Sequence, residues 1–390
     1  MSVTAARGFT ANGVSCGIKP SGDLDLALVA TIDARPVSAA AVFTQNKLTA
    51  APVIATSSHL ALTGGRAAAV VLNSGCANAA TGADGLADAE ATCAGVAEAL
   101  GCGPREVLVG STGLIGYRLP MDAVEAGTRP LVAGRAASAE AGALAAEAMR
   151  TTDTHRKEAV VHGEGFTVGG MAKGAAMLAP NMATMLAVLT TDADVEPPAL
   201  TEVLRAGVAD SFNAMSTDGC TSTNDTVILL ASGAAGSPAD PHAFAAAVAQ
   251  VCLDLATQMV GDAEGHTKVV TVQVTGALSD DEARAGARRV AESQLVKCSW
   301  YGEDPYWGRV ASELGTAGIA LEPDKLTVRY GDHTVAEGGL AATVDEAALA
   351  AYLAQDRLEV TAHLGLGDGR ARILTNDLTP AYIDENKGTS

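Results

Sequence analysis

The hydrophobic and polar positions of the chain form two patterns, short apolar runs and longer segments with apolar residues at helical spacing. The apolar runs predict buried strands, because about four to eight apolar residues between turn signals are typical of a strand covered on both faces. Strands are predicted at residues 26–30, 37–43, 53–55, 66–72, 107–109, 158–162, 166–168, 184–191, 227–230, 268–274, 318–330 and 359–376. Helices are predicted at residues 84–100, 133–149, 198–211, 242–260, 280–295 and 344–356.

This alternation of strands and helices continues along the whole chain without a Rossmann or P-loop glycine fingerprint, so no nucleotide-binding fold is indicated. We expect an α/β or α+β layered sandwich in which stacked sheets are covered by helices. The length of 390 residues is sufficient for a smaller additional domain, which we expect in the C-terminal half.

Composition limits the class of protein. Because 48% of the residues are hydrophobic and only 3% are aromatic, the core must consist mainly of Ala, Val and Leu. A net charge of −19 argues against a nucleic-acid partner, since phosphate contacts need clustered Lys and Arg. The apolar runs are shorter than the roughly 18 residues of a membrane-spanning helix, and the first residues do not resemble a secretory signal. We therefore expect a cytoplasmic protein without a membrane partner.

The seven cysteines are widely spaced and include no Cys-x-x-Cys pair. This pattern predicts neither a disulfide framework nor a zinc site.

The segment before the predicted strand at residues 184–191 suggests a catalytic residue. Residues 169–183 are rich in glycine and small residues and contain a Pro-Asn step, which favours a strained turn before Thr184. Cleavage between Ala183 and Thr184 would give Thr184 both a hydroxyl nucleophile and an α-amino base with a pKa of about 7.7 to 8.0. The alternative is that Thr184 simply begins an ordinary strand.

Four further positions have polar residues where a predicted strand or helix ends. A Ser-Thr-Gly turn follows the strand at residues 107–109, and such a turn either stabilises an oxyanion or is an ordinary polar turn. Thr151 follows a predicted helix, and Glu264 lies between a helix and a strand, where its carboxylate either binds a substrate ammonium or is solvated. The hydroxyl-rich residues 216–226 either brace a pocket or satisfy one another.

Five segments, in order along the chain, resemble the ornithine acetyltransferase family (glutamate N-acetyltransferase of arginine biosynthesis). They are residues 73–82 (NSGCANAATG), 111–116 (STGLIG), 151–154 (TTDT), 173–186 (KGAAMLAPNMATML) and 221–226 (TSTNDT). The resemblance implies an N-terminal-nucleophile type of fold and transfer of an acetyl group from N-acetylornithine to glutamate.

The resemblance also implies a role for each site residue. Thr184 is the expected nucleophile, and Thr112 and Gly113 are the expected oxyanion hole. The residues that it implies for substrate binding are Thr151, Thr184, Glu264, Asn386 and Ser390. Lys173 is a further candidate, because it is close to the nucleophile in sequence and its ammonium suits a substrate carboxylate. The C-terminal match is weaker, because the tyrosine usual between the last two positions is missing and the spacing is one residue short.

Self-cleavage would give an α chain, residues 1–183, and a β chain, residues 184–390, and the resemblance implies two copies of each in the assembly. The reaction requires neither metal nor bound cofactor, although acetyl-CoA is a co-substrate of some family members. Two other functions remain open: an N-terminal-nucleophile aminopeptidase or amidase, and an unprocessed, non-catalytic binding protein.

Overall fold

The computed structural model describes residues 2–177 and 185–388, which form two compact units. The first contains the described residues up to Asn213 together with Cys220–Met259. The second contains Ala214–Gly219 together with the described residues from Val260 onward. Three residues named above, Ala183, Thr184 and Ser390, lie outside the described part of the chain.

The first unit contains two sheets and the helices that cover them. Its strands are β1 (Phe9–Val14), β2 (Leu26–Thr31), β3 (Val37–Phe43), β4 (Arg66–Ala67), β5 (Ala69–Asn73), β6 (Val107–Ser111), β7 (Lys157–Gly163), β8 (Phe166–Lys173), β9 (Leu186–Ala193) and β10 (Thr226–Gly236). Its helices are α1 (Ala51–Leu62), α2 (Gly82–Leu100), α3 (Met121–Ala133), α4 (Ala139–Ala148), α5 (Pro197–Ala209) and α6 (Pro241–Val260). The strand orders are β1-β2-β5-β6 in the smaller sheet and β4-β3-β10-β9-β8-β7 in the larger.

The two sheets pack face to face. Val29 of the smaller sheet shares one buried cluster with Val188 and Ile228 of the larger sheet. The neighbouring Leu28 belongs to a different cluster, with Cys93 of α2, because successive strand residues point to opposite faces. The smaller sheet is therefore covered by the other sheet on one side and by helices on the other.

Helix α6 packs on the larger sheet. A Cβ added at Gly170 of β8 would lie 2.9 Å from Val251 Cγ1 and 3.0 Å from Leu255 Cδ1, so the glycine permits a close approach of the helix. By length and hydropathy α6 is the one helix among the described residues that could cross a membrane, but it covers a sheet. The first unit is thus layered as helices, sheet, sheet and helix, which confirms the predicted fold class.

The second, smaller unit contains one sheet of order β14-β13-β12-β15-β11-β16. Its elements are β11 (Val269–Ala277), α7 (Asp280–Ala291), α8 (Gln294–Tyr301), α9 (Trp307–Gly315), β12 (Thr327–Tyr330), β13 (His333–Glu337), β14 (Leu340–Ala341), α10 (Glu346–Leu353), β15 (Arg357–His363), β16 (Gly369–Asn376) and α11 (Pro380–Glu385). Val272 and Val274 of the sheet share a buried cluster with Ala287, Trp300 and Leu314 from the helices.

Five predicted elements differ from the observed ones. The strand predicted at residues 318–330 is limited to β12, and the strand predicted at residues 359–376 is the two strands β15 and β16. The strand predicted at residues 53–55 lies inside α1, which has a proline in its first turn, where a missing N–H costs nothing. The helix predicted at residues 133–149 is two helices, because α3 ends at Ala133 and the Ser138 side chain caps α4 by accepting from Ala141 N. Similarly, Ser293 begins a new helix inside the predicted helix 280–295.

The contact between the two sheets predicts a large effect for one isoleucine. Ile228→Ala should lower the free energy of unfolding by about 2 to 5 kcal/mol, because the side chain is fully buried between the sheets and its loss leaves a cavity. Ile32→Ala, at a residue 53% exposed, is the matched control and should cost less than about 1 kcal/mol. Urea unfolding measures both, and equal losses would contradict the assigned core.

Candidate active site

Two parallel strands bring the first two motifs to one edge of the smaller sheet. In β5 and β6, Asn73 is paired with Ser111, so the loops that follow both strands leave the sheet side by side. The Ser111 hydroxyl donates to Asn73 Oδ1 at 2.6 Å, and Thr112 N donates to Asn73 O at 3.0 Å. The predicted oxyanion residue Thr112 is 1% exposed and is therefore held in a buried, hydrogen-bonded loop.

Gly113 has to be a glycine at this position for two reasons. Its φ of +126° is disfavoured for residues with a side chain. An added Cβ would also lie 2.3 Å from the carbonyl carbon of Gly75, in the neighbouring loop. The close approach of the two loops depends on the absence of this side chain.

The TSTNDT motif, residues 221–226, connects these two loops by hydrogen bonds. Asn224 is buried, and its Nδ2 donates to Ala77 O at 2.6 Å and to Ser111 O at 2.8 Å. Both roles considered for the hydroxyl-rich segment occur at Asn224. Its Nδ2 braces the loops, while its Oδ1 accepts from the Thr223 hydroxyl at 2.6 Å within the segment. No role was predicted for Asn224, although its place in a motif before an apolar strand was a usable signal.

Lys173 lies at the end of β8 and is 2% exposed. Its Nζ donates to Thr112 Oγ1 at 3.1 Å, which brings the predicted substrate-binding lysine to the predicted oxyanion residue. In the antiparallel pairing of β8 with β9, Lys173 is opposite Leu186. The lysine is therefore close to the first described residues that follow the predicted cleavage position.

Asp225 holds the start of β9. This fully buried residue accepts a hydrogen bond from Met185 N at 2.9 Å through Oδ1, and Thr226 N donates to Met185 O at 3.1 Å. Burial raises the pKa of Asp225 well above its usual value, although the Met185 N–H and the Lys173 charge act in the opposite direction. Asp225 lies in the TSTNDT motif, but no function was predicted for its carboxyl group.

Asp153, in the TTDT motif, connects the Thr151 segment to the end of β8. Its Oδ2 accepts from Thr151 N at 3.1 Å, and its Oδ1 accepts from Gly174 N at 2.6 Å. The Lys157 ammonium also donates to Oδ1 at 2.6 Å. Burial opposes the charged form, but the Lys173 and Lys157 charges hold the pKa of Asp153 below its usual range.

The predicted residues Glu264 and Asn386 lie in the second unit, where they contact each other. Asn386 Nδ2 donates to Glu264 Oε2 at 2.8 Å. The contact depends on α11, which is capped by the Thr379 side chain and packs so closely on Gly265 that an added Cβ there would lie 2.2 Å from Tyr382 N. This region of the C terminus is therefore ordered against the loop that carries Glu264.

Residues 2–177 and 185–388 contain no candidate metal site, because nowhere among them are three or more His, Cys, Asp or Glu side chains grouped as ligands. The absence of a metal or bound cofactor from the reaction remains a prediction.

A family model described as the ArgJ family matches residues 10–388. The arginine biosynthesis bifunctional protein ArgJ of Streptomyces coelicolor is 49% identical over 390 residues, with both chains covered completely. The protein of the same name from Thermobifida fusca is 47% identical over 390 residues, again with complete coverage of both. The chain therefore belongs to the ArgJ family, whose enzymes are acetyltransferases of arginine biosynthesis.

Two solved structures are also similar in part. An ornithine acetyltransferase of Mycobacterium tuberculosis complexed with ornithine is 49% identical, covering 46% of this chain and 94% of that one, with a TM-score of 0.44. The ArgJ protein of Bacillus halodurans is 33% identical, covering 50% of this chain and 95% of that one, with a TM-score of 0.49.

The approach of the two loops at Gly113 leads to a prediction. Gly113→Ala should destabilise the protein by about 1 to 3 kcal/mol more than Gly116→Ala, because its methyl group would overlap the Gly75 backbone. Gly116 is a matched control, since its φ of +88° carries similar strain while nothing lies within 4 Å of an added Cβ. Equal losses of unfolding free energy in urea would show that the contact with Gly75 is unimportant.

The raised pKa of Asp225 predicts a pH-dependent effect. Between the ordinary aspartate pKa and its raised folded value, the native state binds more protons than the unfolded state, so this group's contribution to stability falls as pH rises. Asp225→Asn, which stays neutral and retains an acceptor for Met185 N, should gain stability relative to the original protein as pH increases above the ordinary aspartate pKa.

Asp225→Ala is the companion variant in the same urea titrations. It should be less stable than Asp225→Asn by about 1 to 3 kcal/mol at every pH, because Met185 N would be buried without its acceptor. A difference between Asp225→Asn and the original protein that does not change with pH would contradict the raised pKa.

Proposed function

We propose that this chain transfers an acetyl group from N-acetyl-L-ornithine to L-glutamate through an acetyl ester on Thr184. Membership in the ArgJ family supports the reaction class, and the printed name of the Mycobacterium tuberculosis relative supports ornithine as a ligand. Cleavage between Ala183 and Thr184 is part of the proposal, because the freed amino group would act as the base for the hydroxyl.

The contact between Lys173 and Thr112 is the observation that carries the proposal. Lys173 Nζ donates to Thr112 Oγ1 at 3.1 Å in a buried environment. An ammonium has donors only, so the threonine oxygen accepts and its own O–H proton is free to point elsewhere. That proton, with the Gly113 N–H, would donate to the oxyanion of a tetrahedral intermediate, where each such donor is worth about 3 to 4 kcal/mol.

The reaction then proceeds by two acyl transfers. The Thr184 hydroxyl oxygen attacks the acetyl carbonyl carbon, its proton passes to the α-amino group, and collapse of the intermediate breaks the amide C–N bond. Ornithine leaves with that proton on its nitrogen. The glutamate amino group next attacks the ester, the C–O bond breaks, and the threonine oxygen regains a proton as N-acetylglutamate is released.

Substrate recognition would use the remaining predicted residues. Thr151 and Lys173 suit polar and carboxylate groups, while Glu264, which accepts from Asn386, suits an ammonium group. Asn386 and Ser390 are the two proposed substrate-binding residues near the end of the chain. The relatives' designation as bifunctional supports acetyl-CoA as a second acetyl donor.

The proposal includes no metal and no bound cofactor, since exchange of one amide for another needs neither. It also includes a cytoplasmic assembly of two α chains and two β chains. Of these features, the assembly is assigned by resemblance to the family.

Intact-mass spectrometry after brief exposure to N-acetylornithine tests the proposal. The expected spectrum shows an α chain of residues 1–183 and a β chain of residues 184–390, with one added acetyl group on the β chain only. Glutamate should remove that acetyl group faster than water does, because the transferase uses an amine as its second nucleophile.

Two variants separate the proposed nucleophile from a second threonine of the same segment of the chain. Thr184→Ala should remain one chain of about 39.1 kDa without transferase activity. Thr190→Ala, at a buried threonine whose hydroxyl donates to Val3 O at 2.7 Å, should still be cleaved and acetylated. An active Thr184→Ala variant would refute the assigned nucleophile, and acetyl loss to water alone would identify an amidase.

A further inference from the structure

We infer that Asp153 is a positioning residue for acetyl transfer, holding Thr151 and Lys173 in the arrangement that the reaction requires. The inference rests on the proposed function of these two residues. It assigns a role to a carboxylate that does not itself contact substrate.

Both oxygens of Asp153 are occupied. Oδ2 accepts from Thr151 N at 3.1 Å, and Oδ1 accepts from Gly174 N and from Lys157 Nζ, each at 2.6 Å. The residue is 3% exposed, so water cannot readily replace these bonds. We call Asp153 together with Lys157 the Asp153 clamp.

The Asp153 clamp determines how two distant parts of the chain meet. Thr151 belongs to the segment after α4, whereas Gly174 immediately follows Lys173 at the end of β8. The Lys157 anchor is at the start of β7, where it is paired with Ala172 in the sheet. One short side chain therefore ties the backbone of Thr151 and that of Gly174, the residue next to Lys173, to the same strand pair.

The charge of Asp153 is suited to the same role. Lys157 and Lys173 are both buried, at 0% and 2% exposure, and buried ammonium groups need a negative partner. Asparagine cannot replace the carboxylate, because one of its two side-chain positions is an NH₂ group. That group would face an N–H or ammonium donor whose hydrogen bond the Asp153 carboxylate now accepts. A displaced Lys173 would also lose its 3.1 Å contact with Thr112 Oγ1.

The test compares Asp153→Asn with Asp192→Asn. Asp192 is also 3% exposed and accepts from Thr167 N at 2.7 Å and from Arg7 Nε at 3.0 Å, but it lies at the other end of β9. We expect Asp153→Asn to lower kcat/KM for acetyl transfer about 100-fold and Asp192→Asn to lower it at most about threefold, since displacement of binding groups by about 1 Å has effects of that order.

A double variant distinguishes positioning from general stability. If Asp153 acts through Thr151, then adding Asp153→Asn to Thr151→Val should cost much less than it costs in the original protein. Losses that multiply independently would overturn the inference. It would also be overturned if Asp153→Asn lost no more activity than Asp192→Asn.

If Asp153→Asn does not fold, the variant Lys157→Met tests the inference instead. This variant leaves the carboxylate in place but removes its anchor on β7, and we expect a loss of kcat/KM of about tenfold. Unchanged kinetics would overturn the clamp. Absence of transfer in the unsubstituted protein would refute the proposed function itself, whereas transfer that survives both clamp variants refutes only the role of Asp153.

Discussion

The site depends on the neutralisation of positive charge inside an apolar core. Lys157 and Lys173 are both buried within the first unit, where an unpaired ammonium would lose several kcal/mol of hydration free energy. Asp153 bonds to one of them directly and lowers the electrostatic cost of the other. Because the charged groups compensate one another, the protein can keep an ammonium beside Thr112 without opening the site to water. A dry environment strengthens the polarisation that this ammonium exerts on the threonine oxygen.

Sheet order explains why segments far apart in sequence form this site. The parallel pairing of β5 with β6 places the loops after Asn73 and Ser111 next to each other, and Asn224 then joins them from a third segment. Each loop is too polar to pack by hydrophobic contact alone, so hydrogen bonds between their backbones set the geometry. A glycine at position 113 is needed because those bonds bring two backbones into direct contact.

The sequence was sufficient for features that depend on local pattern. It predicted the layered fold, the apolar strand that begins near Leu186, and the amphipathic helix that became α6. It failed at residues 53–55, because three apolar residues fit a strand and a helix equally well and the buried face of α1 was not visible in so short a run. It also missed Asp153 and Asp225, which bond to Gly174 and Met185, 21 and 40 residues away, because strand pairing brings these partners together.

The strand order bears on the predicted cleavage between Ala183 and Thr184. In the larger sheet, β9 and β10 follow that position in the chain, and they are flanked on both sides by β3 and β8, which precede it. Thr226–Ala231 pair with Ser38–Phe43 on one side, and Leu186–Thr191 pair with Val168–Lys173 on the other. Separating the two parts would break both ladders and expose the residues buried between the sheets, so hydrolysis of one peptide bond would leave the larger sheet assembled. A chain interrupted at this point can therefore gain a new terminus while retaining the fold that positions Lys173 and Thr112.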